Sequence, residues 1–185
     1  MSSHGSFSGN PKTEWLIDQS GADRDMALLE NFWYLDPDGR KWEAPKGSVI
    51  NGASIPRPLW SMVGSPYTDD YRRASIVHDV ACDDQTVQRK DADVMFYHAC
   101  LAGECSFLQA KLLYAGVRIG AWSSASFTAE SFAKERMLFR VPFSAFSDEQ
   151  FIQSKFQEIA IELKTLGDRA SIDDLDAVID KHVKF

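Results

Sequence analysis

Residues 71–102 read YRRASIVHDVACDDQTVQRKDADVMFYHACLA, and this stretch decides the fold. Tyr71, Ala74, Ile76, Val77, Val80 and Ala81 fall on every side of a helical projection through 71–82, the mark of a helix buried all round. Residues 83–88 are a polar break. A second helix over 89–102 stops at Gly103, as helix C-termini often do. The two helices predict an antiparallel hairpin with its midpoint near residue 85 or 86. Positions equally far from that midpoint face one another, and His78 and Asp93 are such a pair.

A buried His-Asp dipeptide needs compensation, because an unpaired buried charge is expensive. Asp93 can hold one ring nitrogen of His78, fixing its tautomer and raising its basicity, which frees the other nitrogen to take a proton from water or a hydroxyl. Asp79 lies one step, about 100°, further round the helix. It points toward the loop Asn51-Gly52-Ala53-Ser54 and can bind a metal, a substrate cation or a backbone amide. With carbonyls from that loop, an oxygen-only site suits a hard cation such as calcium. The bland alternative is a satisfied core pair of His78 and Asp93, with Asp79 capping a loop. Solvent access separates the two, since an enzyme or binder needs His78 at the bottom of a cleft and a structural cluster is sealed.

Around this pair stand weaker candidates. Asn51, Ser54 and Arg57 are the substrate-binding candidates of the loop before the first helix. Ser54 is a nucleophile or oxyanion donor, or else a hydroxyl that stabilises the turn; Arg57 meets an anionic substrate or solvent. Cys82, one turn after His78, forms a Cys/His nucleophile pair or a small core residue. A zinc site begun by His78, Asp79 and Cys82 lacks a CxxC or a second His cluster in support. Arg89 and Arg118 are expected to pair with buried acids, and His98 to sit at the surface or a boundary.

Working outward, residues 27–35 read as a strand, and Asp36-Pro37-Asp38-Gly39 as a type I turn. Arg40 to Ala44 returns as the second strand of a hairpin, and Ser48-Val49-Ile50 is a third extended piece after the turn Pro45-Lys46-Gly47. Downstream, Ser106 with Gln109 makes a capping box for a helix to about Gly120. Residues 128–139 read as a fourth helix. Ser147 with Gln150 caps a fifth, with the apolar stripe Ile152, Phe156, Ile159, Leu163 and Leu166, and Ser171 with Asp174 opens a last short one. The stripe is expected to bury itself on the core or in a homodimer. The expected class is α+β, mainly helical, with a small antiparallel sheet packed on a helical core. Its divisions are a partly flexible N-terminal segment (1–25), an α+β core (26–125) and a C-terminal helical appendage (126–185).

Bulk composition bounds the function. Hydrophobic residues are 44% and aromatic residues 12% of 185, enough for a sizeable core. Twenty basic against 27 acidic residues give a net charge of −7, which argues against nucleic-acid binding through a general positive field. No apolar run approaches the roughly 20 residues of a transmembrane segment. The start lacks a signal-peptide layout, and three cysteines suit reduced thiols. A cytoplasmic location is expected, with export by a route that reads no signal peptide left open.

The stretch from Phe32 to Trp122 resembles the phage- and prophage-associated family known as domain of unknown function 1353. The resemblance rests on Asp36-Pro37-Asp38-Gly39, Pro45-Lys46-Gly47, Gly52-Ala53-Ser54-Ile55-Pro56-Arg57, Leu59-Trp60, His78-Asp79, Ala92-Asp93, and Tyr114-Ala115-Gly116-Val117-Arg118 with Gly120. Family members often carry Asp at the position of Asn51, and the family label supplies no activity. A looser likeness is to bacterial phospholipase A2, which implies a water-activating His78, a calcium-binding Asp79 and an orienting Asp93. The paired cysteines and glycine-rich calcium loop of that enzyme are missing here, and Cys82 stands where it has Tyr.

The leading expectation is therefore a hydrolase acting on an ester, such as a phospholipid, or on a cell-envelope component. The alternatives are a non-catalytic phage structural, lysis or host-takeover protein, and a small-ligand or nucleotide binder that counters a host defence.

Overall fold

In the computed structural model, which describes residues 3–17, 25–64, 70–126 and 148–184, the chain before residue 51 is a series of short strands. These are β1 (Ser6–Phe7), β2 (Thr13–Trp15), β3 (Met26–Leu28), β4 (Phe32–Leu35), β5 (Lys41–Ala44) and β6 (Val49–Ile50). A 3₁₀ turn, Arg57–Leu59, leads into α1 (Trp60–Val63). Then come α2 (Arg72–Asp83), α3 (Arg89–Ala102), α4 (Phe107–Ser126), α5 (Asp148–Leu163) and α6 (Ile172–His182). The fold is mainly helical α+β. No helix among the described residues is long and apolar enough to cross a membrane. The helix expected over 128–139 and the Ser147 cap lie outside the described residues.

The strands form two antiparallel sheets of three, ordered β1-β4-β5 and β2-β3-β6. Asp36 builds the β4–β5 turn: its Oδ1 accepts from the amides of Asp38 and Arg40, while its Oδ2 accepts from Trp42 Nε1 at 2.9 Å. Gly39 takes the left-handed φ of 84° that this turn needs. One sequence expectation is corrected here. Residues 27–35 are two strands in different sheets, because the chain breaks between Leu28 and Phe32. The amide of Gly47 donates to Leu28 O at 2.8 Å and that of Lys46 to Asn31 Oδ1 at 2.8 Å, so the turn before β6 caps the break. The third extended piece, β6, accordingly pairs with β3.

Two compact units make up the chain. The first comprises residues 1–53 and 64–110. Within it, α2 packs on β4, β5 and β6, and α3 packs on α2 and β1. Leu28, Phe32, Tyr34, Tyr71 and Phe96 are buried. Burial of that much aliphatic and aromatic surface, at about 25 cal/mol per Å², is what holds two short helices against strands too small to be stable alone.

The second unit comprises residues 54–63 and 111–185. Here the sequence's small residues have a packing reason. A Cβ on Gly120 would lie 2.0 Å from Ser54 O, and one on Gly116 would press Ile55 at 3.3 Å. These glycines, one turn apart on α4, let the 54–56 segment lie on the helix backbone. Ile152, Phe156, Ile159 and Leu163 of α5 are all buried, and Ser171 and Asp174 form a reciprocal capping box at the start of α6.

Candidate functional site

The α2–α3 pair brings His78 and Asp93 together. Both side chains are fully buried, and His78 Nε2 lies 2.8 Å from Asp93 Oδ1. Arg89, one turn before Asp93 on α3, donates from Nε to the same oxygen at 3.1 Å. The i, i+4 spacing of Arg89 and Asp93 is the signal from which that bond is readable in the sequence. Phe96 packs on the imidazole with ring centroids 4.8 Å apart.

These contacts fix the protonation pattern. Burial lowers the pKa of His78, against the pull of its hydrogen bond to Asp93. Burial also pushes Asp93 upward, but the His78 hydrogen bond and the charge of Arg89 outweigh it and hold Asp93 below the usual carboxylate range. A neutral imidazole that donates Nε2–H to an ionised Asp93, with Arg89 as countercharge, accounts for the bonds between the three side chains. Nδ1 then carries the lone pair. Cys82 Sγ lies 3.8 Å from it and 3.5 Å from Nε2. Burial pushes the Cys82 thiol up to about 12, so it is protonated and not an activated nucleophile. Arg89 Nη2 is buried with no acceptor among the described residues, an unspent donor beside the pair.

Asp79 turns the other way, into the loop before the 3₁₀ turn. Its Oδ2 accepts from the Asn51 amide at 2.6 Å, and the Gly52 amide also bonds it. Burial raises its pKa to about 6, against those two amides. The loop thus offers Asp79 N–H donors. The calcium reading calls for carbonyl oxygens there. Asn51 serves through its backbone, and its side chain is exposed. Ser54 and Arg57 belong to the second unit. Ser54 is half-buried with its carbonyl against Gly120, and Arg57 is exposed with its guanidinium 5.9 Å from the Trp60 ring centre. His98 is partly buried in the wall of a cavity of about 330 Å³ with Asp36, Arg40, Trp42 and Lys90.

Comparison with known proteins adds relatives without an activity. The chain is 32% identical over 114 residues to the uncharacterized protein y4jT of Sinorhizobium fredii (strain NBRC 101917 / NGR234), covering 60% of this chain and 32% of that one. It is 37% identical over 102 residues to the uncharacterized protein y4iH of the same strain, covering 55% and 43%. The chain therefore spans less than half the length of these curated relatives. No solved structure matches. His78, Asp79, Asp93 and the loop that Asp79 holds all fall inside residues 26–117, the stretch that matches the model of the family described as "Protein of unknown function (DUF1353)".

Proposed function

We propose that this domain is an ester hydrolase in which His78 activates water through Nδ1 while Asp93 holds Nε2. One observation carries the reading: the ring is fixed at Nε2, and among the described residues Nδ1 has no oxygen or nitrogen partner. A base needs this division of labour, with one nitrogen anchored and the other available, on an imidazole that is neutral at pH 7. The buried, unspent Nη2 of Arg89, whose Nε is bonded to Asp93, offers a cationic donor for the negative charge that develops on an ester carbonyl. Asp79 acts as a positioning residue, tying the Asn51–Gly52 backbone to α2.

The substrate class follows from this equipment. A base with a cationic donor suits attack of water on an acyl ester: water's oxygen bonds to the carbonyl carbon, its proton passes to Nδ1, and that proton is returned to the leaving alkoxide. Turnover needs a path to Nδ1 that the structure holds closed. Cys82, half-buried one turn along α2, is the neighbour of Nδ1 that reaches solvent.

A second reading has its own support. The complete burial of both His78 and Asp93 meets the sealed condition that separates a structural cluster from a cleft site, and suits a lock between two helices in a non-catalytic protein. The test is release of fatty acid from mixed phosphatidylcholine–phosphatidylglycerol vesicles and of chromophore from soluble nitrophenyl esters by the full chain. Hydrolysis of either, lost in His78→Ala, supports the enzyme. An inert wild type, or a His78→Ala protein as active as wild type, overturns it.

A further inference from the structure

We propose that His78, Cys82 and Asp93 form a binding site for a borderline divalent transition metal of the zinc class. One imidazole nitrogen, the Cys82 sulfur and an Asp93 carboxylate oxygen all lie within 4.8 Å of one another. Among the described residues it is the one such cluster of three. His78 and Cys82 are four residues apart on α2 and so share a face, and α3 supplies Asp93 from across the pair. The sequence run His78, Asp79, Cys82 suggests a different set. Asp79 is committed to the loop, and Asp93 completes the cluster instead.

The distances suit a tetrahedral ion. With Zn–S of about 2.3 Å and Zn–N of about 2.05 Å, nitrogen and sulfur ligands sit roughly 3.5 Å apart. Cys82 Sγ is 3.5 Å from His78 Nε2. The 2.8 Å between Nε2 and Asp93 Oδ1 is a hydrogen-bond length. It must open by roughly half an ångström to reach the ligand–ligand spacing of such a site, once metal replaces the shared proton.

Charge favours the exchange. A thiolate and a carboxylate together cancel a divalent ion, so the loaded cluster buries no net ligand–metal charge. Arg89 remains on Asp93 as the hydrogen bond that orients a ligating carboxylate. Thiolate and imidazole select zinc-class ions over calcium and magnesium, and loading releases the thiol proton to solvent. Three protein donors leave a fourth position for water. A neutral imidazole ligated through one nitrogen carries its proton on the other. No basic lone pair then remains, so metal loading and base catalysis exclude each other at His78.

The test uses the full chain, stripped with chelator, titrated with cobalt(II) and then competed with zinc. The expected result is a thiolate-to-cobalt charge-transfer band that saturates at one ion per chain and is displaced by zinc. Cys82→Ser should abolish the band. It should also weaken zinc binding by more than the roughly 10–100-fold that losing a ligand's supporting hydrogen bond costs, while Cys105→Ser keeps both. No band in the wild type overturns the site, and so does a band that survives Cys82→Ser. The readout is optical and needs no turnover, so it stands or falls separately from the ester-hydrolase proposal.

Discussion

The two units bury their polar groups in different ways. In the first, His78, Asp93 and Arg89 meet one another within a span of 15 residues, and the cluster keeps chemical capacity in hand at Nδ1, the Cys82 thiol and Arg89 Nη2. In the second, Lys111 is almost fully buried and donates Nζ to Leu166 O and Gly167 O at 2.8 and 2.9 Å. Those carbonyls lie in the turn just beyond α5, near the end of a helix dipole that favours a cation. Tyr114 likewise donates its hydroxyl to Asp176 of α6 at 2.7 Å. Lys111 is spent on the fold. The contrast teaches that burial of a charge does not mark a site; what marks it is a reactive atom left over after the structural bonds are made.

Breaking each cluster sharpens this comparison. Asp93→Ala strands the His78 N–H and the Arg89 guanidinium, and should cost about 3–5 kcal/mol in urea denaturation while also abolishing ester hydrolysis. Lys111→Met keeps the aliphatic stem but leaves two carbonyls without a charged donor. It should cost about 2–3 kcal/mol and leave the activity of the folded protein intact. Loss of activity per folded molecule in Lys111→Met would erase the distinction between the two clusters.

A smaller effect is expected from Asp79, and its sign is set by burial. Its folded pKa, about 6, is raised above the ordinary 3.8. Its contribution is therefore fully present below pH 4 and is lost as pH rises through 6, a change of about 3 kcal/mol. Asp79→Asn should flatten the stability curve of chelator-treated protein across that window. An unchanged slope would place the titration elsewhere.

Legibility in the sequence follows the range of the interaction. The facing of His78 and Asp93 is readable because a polar break fixes the midpoint of a helix pair, and Arg89 follows from helical spacing. The capping box of α6 is readable because Ser171 and Asp174 are three residues apart. The break between β3 and β4 is not, because nothing in residues 27–35 announces that the Gly47 amide will cap Leu28. Strands β1 and β2 are equally hidden, being two and three residues long, too short for an alternation pattern. Lys111 and Tyr114 find their partners 55 to 62 residues away, so only the folded chain reveals them. Asp79 illustrates a subtler limit. Its direction toward the Asn51 loop is legible, but whether that loop turns amides or carbonyls to it depends on backbone torsions such as the φ of 98° at Gly52.

The most direct test of the central claim is His78→Gln, assayed for both melting and ester hydrolysis. Glutamine's amide can reach Asp93 with an N–H in place of Nε2–H, so the bond across α2 and α3 survives, but it has no basic nitrogen. The account predicts a melt near wild type with hydrolysis reduced by about 10²–10⁴. A His78→Gln protein that melts like wild type and hydrolyses esters equally well would contradict it, and would assign His78 to the lock alone.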